Sequence, residues 1–201
     1  MLSIGIVASS RRVAGPNAKN RAVLLDAAER LLLDEGYAAV TSRRVAAAAG
    51  LKPQLVHYYF RTMDDLFLAV YRRRADEGLA ALARALASDR PLHALWQQAR
   101  DPRGTALTTE FAALANHRKT IRAEIARDAE RFRALQAEGL AVASRRDGIS
   151  PDVPPPIVLS VVLTSVSVVL AMEHVLGVSG GHAETIGLVE RYLDRYEPIN
   201  A

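Results

Sequence analysis

Residues 41–66, TSRRVAAAAGLKPQLVHYYFRTMDDL, form the stretch that decides the fold of this 201-residue chain. Thr41 or Ser42 can cap a short helix, because a side-chain oxygen at that place accepts an otherwise unpaired backbone N–H. The apolar residues of this helix recur at helical spacing, at Val45, Ala46 and Ala49. Gly50 then favours a turn, since a residue without Cβ adopts the left-handed conformation that closes a helix.

A second short helix follows this turn. Leu51 fills the angle between the two helices, and Pro53 suits a first helical turn, where its missing N–H costs nothing. Lys52 stands at the start, and one face carries polar and aromatic side chains at Gln54, His57 and Tyr58. Such a helix suits insertion into the major groove of DNA. The pattern predicts a helix-turn-helix unit, with a capping box at residues 62–65 that begins the next helix.

The predicted contacts with double-stranded DNA follow from this arrangement. The second helix presents its side chains to base edges, while Thr41 and Arg43 of the first helix act mainly through phosphates. We expect DNA contacts from Thr41, Ser42, Arg43, Lys52, Pro53, Gln54, His57, Tyr58 and Tyr59.

The distribution of charge agrees with this prediction. Residues 1–75 hold 12 Lys and Arg against 6 Asp and Glu, a balance of +6, and residues 76–201 hold 14 against 16, a balance of −2. The whole chain is 50% hydrophobic and 24% charged, enough for one good core or two small ones. Positive charge around the predicted helix-turn-helix unit, which we call the reader, would neutralise DNA phosphates. Charge alone does not identify the function, because many basic proteins bind no nucleic acid.

The region from about Arg21 to Tyr71 resembles the DNA-binding domain of the TetR family of bacterial transcriptional regulators. Three segments carry the resemblance: AAERLLLDEGYAAVTSRRVAAAAG, GLKPQLVHYYF and RTMDDLFLAVY. Two positions depart from the family pattern, since Met63 stands where a phosphate-contacting Lys is common and His57 where a Tyr is common. The alternative for this region is a helical hairpin within an α-helical enzyme.

The sequence predicts an all-α protein with three parts. Residues 1–18 are expected to form a flexible arm, in which Arg11 and Arg12 either reach a minor groove or belong to a solvated tail. Residues 19–71 form the three-helix reader. Residues 72–201 form a helical bundle for ligand binding and dimerisation. No segment has the pattern of a strand, and no internal repeat is visible.

Helical periodicity extends beyond the reader. Asn17 or Asn20 can cap the first helix, and residues 63–88 predict one long helix that joins the two domains. The run Arg72-Arg73-Arg74 on this helix is expected to be solvated. Residues 92–100, 105–116, 121–143 and 185–196 predict four further helices, and three consecutive prolines mark a loop over residues 147–156.

Residues 157–172 are nearly all apolar, broken only by serine and threonine. This segment is a little short for a membrane span and lacks flanking positive charge, so we predict no membrane association. A helix that is apolar all round is buried on all sides, which a partner chain most easily provides. The resemblance implies that the last two helices pair with their copies as a homodimer. The expected interface residues are Val162, Val166, Val169, Leu188 and Leu193.

A small-molecule pocket in the second domain is implied mainly by the resemblance. Its expected lining combines bulky and polar residues of the middle helices, Trp96, Phe111, Asn116, His117 and Phe132, with Met172. A mostly apolar cavity with a few polar anchors suits an unknown small ligand. The alternative is that these residues simply fill the core.

Catalytic and metal-binding patterns are missing from the sequence. There is no GxSxG, no phosphate-binding glycine loop and no HExxH, and cysteine is absent, which is compatible with a cytoplasmic location. Glu173-His174 and His182-x-Glu184 lack a third ligand at useful spacing, so we expect no metal or cofactor. The preferred function is a dimeric DNA-binding regulator, and the resemblance implies a repressor that a small molecule releases. The alternatives are a ligand-binding protein with a vestigial reader, or an α-helical enzyme.

Overall fold

The computed structural model describes residues 16–147 and 154–197, which contain nine α-helices, one short 3-10 helix and no strand. The helices are α1 Pro16–Glu35, α2 Ser42–Ala48, α3 Pro53–Tyr59, α4 Met63–Leu86, α5 Pro91–Ala99, α6 Pro102–His117, α7 Lys119–Asp147, α8 Pro156–Val175 and α9 His182–Asp194. The all-α prediction is confirmed. Arg11, Arg12 and most of the predicted proline loop lie outside the described residues.

Local sequence signals fix the helix boundaries of the DNA reader. Thr41 caps α2, its side chain accepting a hydrogen bond from Arg44 N at 3.3 Å. Gly50 has a φ of 66° in the turn, where a side chain would be strained. Thr62 and Asp65 form the predicted capping box of α4. The expected cap of α1 was wrong, because α1 begins at Pro16, whose fixed φ already suits a first turn.

A first hydrophobic core holds the reader together. Leu24 and Leu32 of α1 pack there with Val45 of α2, Val56 of α3 and Leu66 of α4. The same core contains residues from the second half of the chain, Leu107, Phe111 and Leu114 of α6 and Ile121 of α7. Helix α6 therefore closes the core of the reader, and the division predicted between residues 71 and 72 stays a prediction.

A second core lies between the C-terminal helices. Its buried residues come from α4, α5, α7, α8 and α9, and include Leu82, Leu92, Trp96, Leu140, Leu159, Leu163 and Leu193. Helices α4 and α7 approach closely at Gly139, where an added Cβ would overlap the Leu86 side chain. Glu197 accepts hydrogen bonds from Leu92 N at 2.6 Å and His93 N at 3.1 Å, which ties the end of α9 to the start of α5.

An ionic cluster joins α1, α4 and α6. The Glu29 carboxylate of α1 is 2% exposed and binds Arg73 of α4 at 2.6 Å and Arg103 of α6 at 2.5 Å. Burial alone would raise the pKa of Glu29, but hydrogen bonds and charges from the two guanidinium groups hold it below its ordinary value of 4.5. The two salt bridges therefore fix α1 of the reader against α4 and α6.

The run of three arginines on α4 was expected to be solvated, which holds for the exposed Arg72, whereas Arg73 and Arg74 are half-buried. Arg72 binds Glu124 of α7 at 2.7 Å, and Arg73 binds Asp26 at 2.5 Å as well as Glu29. Arg74 pairs with Glu77 one turn along its own helix. A run of like charges on one helix points in three directions, so each residue meets a different neighbour.

Candidate nucleic-acid interface

Helix α3 presents one polar face and one packed face. Val56 is 1% exposed in the first core, and Phe60 after the helix is 3% exposed. The opposite face carries Lys52, Pro53, Gln54, His57 and Tyr58, all exposed, with Tyr58 reaching 69%. The fold therefore brings together on one surface five of the residues that the sequence assigned to DNA.

The remaining predicted contacts surround this surface. Thr41 and Arg43 are exposed at the start of α2, and Ser42 is half-buried. Arg43 makes no ion pair within the described part of the chain, whereas its neighbour Arg44 binds Glu35 at 2.5 Å. Arg43 is thus the guanidinium that is available to a phosphate.

Tyr59 differs from the other predicted contacts. It is half-buried against the first core, and its ring meets Tyr58 edge-on with centroids 5.0 Å apart. Such an arrangement supports the exposed Tyr58 ring by packing. The geometry therefore gives Tyr59 a positioning role beside its neighbour.

Two exposed cations near the reader were missed by the sequence analysis. Arg61 follows α3 directly, and Arg21 of α1 places its guanidinium 5.3 Å from the centre of the Phe60 ring. Charge alone was the signal for them, because nothing in their spacing distinguishes them from other surface arginines. Both add positive charge to the unit that contains α3.

A cavity of about 1060 Å³, open to solvent on one side, lies between α4, α5, α6, α7 and α8. Of the six residues predicted to contact a ligand, Phe111 and Phe132 line it. Trp96 is 1% exposed in the second core, one position from the lining residue Leu95. Asn116, His117 and Met172 are exposed away from the cavity lining, so the structure does not bring them to the other three.

The predicted dimer residues fall into two groups. Val162, Val169 and Leu188 are exposed, and Val166 is half-buried. Leu193 is fully buried in the second core, so it cannot contact a partner chain in this arrangement. Its place in the core was hidden from the sequence because both faces of α9 carry leucine and valine.

Helix α8 is the one described helix that is long and apolar enough to cross a membrane, with a mean hydropathy of 2.0. Only 22% of that window is buried within the chain. Core helices of water-soluble proteins have the same length and composition, so this is weak evidence for a membrane span. An exposed apolar face of this kind is typical of an interaction surface.

Among the described residues, no group of three or more potential ligands is placed to hold a metal ion. His182 instead pairs with Glu173 across the turn between α8 and α9, with Nε2 2.8 Å from the carboxylate. This contact accounts for two of the residues that sequence spacing had raised as metal candidates.

A three-helix reader with an exposed polar face, joined to a helical bundle, is the architecture of helix-turn-helix proteins. Residues 24–70 match the family described as bacterial regulatory proteins, tetR family. This segment is therefore similar to a TetR-family DNA-binding domain, and the resemblance seen in the sequence is confirmed.

Similar proteins support the same assignment. The HTH-type transcriptional regulator BetI of Rhizobium meliloti (strain 1021) is 38% identical over 69 residues, which cover 32% of this chain and 34% of that protein. The match thus spans about a third of the relative's length.

Solved structures extend the likeness to the whole fold. A TetR transcription regulator from Haloarcula marismortui superposes with a TM-score of 0.71 at 19% identity, over 89% of this chain and 98% of that one. A transcriptional regulator from Saccharomonospora viridis in complex with choline gives a TM-score of 0.69 at 19% identity, over 81% and 88%. At these identities the likeness concerns the fold.

Proposed function

We propose that this protein is a cytoplasmic transcriptional repressor that binds a pseudo-palindromic DNA operator as a homodimer. The observation that carries the proposal is the exposed face of α3, where Lys52, Gln54, His57 and Tyr58 stand together on a helix fixed by Val56 and Phe60. A polar, cationic helix face of this kind reads base edges in a major groove.

The DNA-binding test uses variants of this face. Lys52→Ala and Tyr58→Ala should each weaken operator binding about tenfold or more while leaving the melting temperature unchanged, because both side chains are exposed. Fluorescence anisotropy on a labelled promoter fragment measures the affinity. Arg195→Ala, which removes an exposed cation after α9, is the matched control. Equal affinities for all four proteins would refute a role for α3.

A homodimer is proposed from the exposed apolar face of α8. Its exposed residues recur at helical spacing as Val158, Val161, Val162, Val169 and Met172, with Leu188 on α9. Two readers held in a dimer address half-sites one helical turn apart or a multiple of it, which gives tight specific binding. A second copy of the chain is therefore the proposed cover for this face.

Release by a small molecule is proposed from the cavity of about 1060 Å³. Its walls include residues of α4 and α6, the helices that clamp Glu29 of the reader. A ligand releases DNA only if it prefers a conformation in which the readers are wrongly spaced. The regulator from Saccharomonospora viridis, which has a similar fold, forms a complex with choline, and this supports a small-molecule ligand here.

The test of release combines two measurements. A compound found by thermal-shift screening should raise the melting temperature and lower operator affinity together. Phe111→Ala should change the response to the compound more than it changes DNA binding by the free protein. A screen that yields stabilising compounds without any effect on DNA would favour the alternative, a ligand-binding protein whose reader is vestigial.

A further inference from the structure

The carboxylates that line the cavity differ in how well they are compensated. Glu124 is bound by Arg72 at 2.7 Å and by Arg127 at 2.8 Å. Asp101 accepts a hydrogen bond from Gly104 N at 2.9 Å. Asp128 is 25% exposed, and its one ion pair within 4 Å among the described residues is Arg127 Nε at 3.8 Å, too long for a hydrogen bond. Arg72, which is paired with Glu124, interacts with Asp128 only through its charge. Asp128 is therefore a half-buried negative charge without a close donor.

The cations of the cavity lining are mostly solvated or paired. Arg84 and Arg131 are exposed, and Arg74 pairs with Glu77. An exposed guanidinium is solvated by water, so it gains little from a further partner, whereas a half-buried carboxylate gains much more. Arg133 is half-buried and carries a charge opposite to that of Asp128, so it is the residue that an anionic ligand would bind.

Three aromatic residues line the same cavity as Asp128. Tyr71 and Phe111 meet edge-on with centroids 5.3 Å apart, and Phe132 lies one turn after Asp128 on the same face of α7. Burial, followed by the charges of Asp128 and Glu124, raises the pKa of Tyr71 to about 12, so its phenol stays neutral. Aromatic faces attract cations, and Asp128 adds to this wall a carboxylate without a close hydrogen-bond donor.

A hydrogen-bond acceptor lies on the neighbouring wall. Gln98 donates from Nε2 to the Gly78 carbonyl at 3.1 Å, and its Oε1 is buried with no hydrogen-bond partner within the described residues. A Cβ at Gly78 would lie 3.9 Å from the Phe132 ring, which places the Gln98 amide near that ring. Because this oxygen has no donor of its own, the wall favours a ligand that brings an N–H over one that brings a further acceptor.

We propose that the cavity binds a protonated amine with an apolar body, its ammonium paired with Asp128 and covered by the rings of Tyr71, Phe111 and Phe132. The Gln98 carbonyl oxygen accepts one further N–H. This assignment of ligand chemistry rests on the proposed function of the cavity as an inducer site.

Intrinsic fluorescence provides a direct readout of binding. Trp96 is the single tryptophan of the chain, and its neighbour Leu95 lines the cavity. Three probes of equal chain length, octylamine, octan-1-ol and octanoate, are titrated below their aggregation concentrations against the intact protein. We expect octylamine to bind about tenfold more tightly than octan-1-ol, and octanoate most weakly.

Variants distinguish the contribution of Asp128 to amine binding from that of other charged residues. Asp128→Asn should reduce octylamine affinity about tenfold and leave octan-1-ol unchanged, while Asp128→Glu should retain the preference for the amine. Glu138→Gln, which neutralises an exposed carboxylate on the same helix outside the cavity lining, is the matched control. An Asp128→Asn effect equal to that of the control would overturn the proposal.

The remaining outcomes are also decisive. Equal binding of all three probes, or binding of none, overturns the proposed ligand chemistry. Tightest binding of octanoate, lost in Arg133→Gln, shows an anion site instead. Operator titrations of the same samples test the proposed function separately, since an amine that binds through Asp128 without affecting DNA leaves the ligand chemistry standing and removes the inducer role.

Discussion

At the scale of single residues, adjacent arginines at the start of α2 have different partners. Arg44 is held by Glu35 at 2.5 Å, while Arg43 makes no ion pair within the described ranges. Arg43→Ala should therefore reduce the slope of log affinity against log salt by about 0.9, the value for one lost phosphate contact. Arg44→Ala is the matched control, with a smaller expected change. Anisotropy titrations at several salt concentrations measure both slopes, and equal changes would argue against a specific contact at Arg43.

Gly139 is a residue whose importance no sequence pattern revealed. An added Cβ would overlap Leu86, so the Leu86 side chain would have to change rotamer or α4 and α7 would have to separate. Gly139→Ala should lower the free energy of unfolding by about 1–3 kcal/mol, the usual cost of overpacking. Gly180→Ala is a control, because a Cβ added there would meet nothing within 4 Å. Chemical denaturation measures both, and an unchanged midpoint for Gly139→Ala would show that Leu86 adapts freely.

Local signals made much of the reader predictable at this scale. Caps, turns and a first-turn proline depend on neighbours within a few residues, so Thr41, Gly50, Pro53 and Thr62 were assigned correctly. Side-chain partners were harder to predict. Trp96 and His117 are both suited to ligand contact by chemistry, but one lies in the core and the other is exposed, which depends on contacts distant in sequence.

At the scale of helices, α6 links the reader to the bundle in a way that its periodicity did not show. Its Glu110 accepts a hydrogen bond from Tyr37 N at 2.9 Å, and Arg118 after it binds Asp64 at the start of α4. An apolar stripe shows that a helix packs, but not which core it joins. The sequence analysis predicted that the long helix α4 connects the two domains, and α6 connects them as well.

The clamp on Glu29 gives a prediction for the pH dependence of stability. Because the folded-state pKa of Glu29 is below 4.5, its ionised form stabilises the fold fully above that pH, and this contribution is lost as pH falls through the lowered pKa. Glu29→Gln should lower the free energy of unfolding at pH 7 by about 2 kcal/mol, less than for fully buried pairs because Arg103 is largely exposed.

Chemical denaturation across pH checks this clamp. The difference between the wild type and Glu29→Gln should shrink as pH falls below 4.5. Glu138→Gln, an exposed carboxylate on α7, should match the wild type throughout. A difference that stays constant from pH 7 to pH 3 would mean that packing, and not the ion pairs, accounts for the loss.

At the scale of the whole molecule, the apolar segment of α8 was predicted correctly as a helix, but its burial is incomplete within one chain. Only 22% of its most apolar window is buried. Sequence composition reports that a helix avoids water, but it does not say which surface covers it. Within one chain, Leu159 and Leu163 bury one face of α8 in the second core, and the other face of α8 stays exposed.

The dimer proposed for that exposed face is tested by placing a charge on it. Val162→Arg should convert the protein to a monomer, because an unpaired guanidinium would be buried against the partner at a cost of several kcal/mol. Val162 is 49% exposed in the single chain, so the variant monomer should keep its helical circular dichroism. The loss of dimerisation should also lower operator affinity, since each reader then binds its half-site alone.

Two comparisons make this test specific to the proposed interface. Val142→Arg places the same charge on α7 at a residue that is 52% exposed, so it should leave the dimer intact. Leu193→Arg, at a position predicted from sequence to lie in the interface but fully buried in the second core, should unfold the bundle instead of dividing the dimer. Light scattering separates the three results. The proposed interface would be wrong if the wild type is monomeric at micromolar concentration. It would also be wrong if the single variants Val162→Arg and Val169→Arg both remain dimeric, and this face would then have another partner.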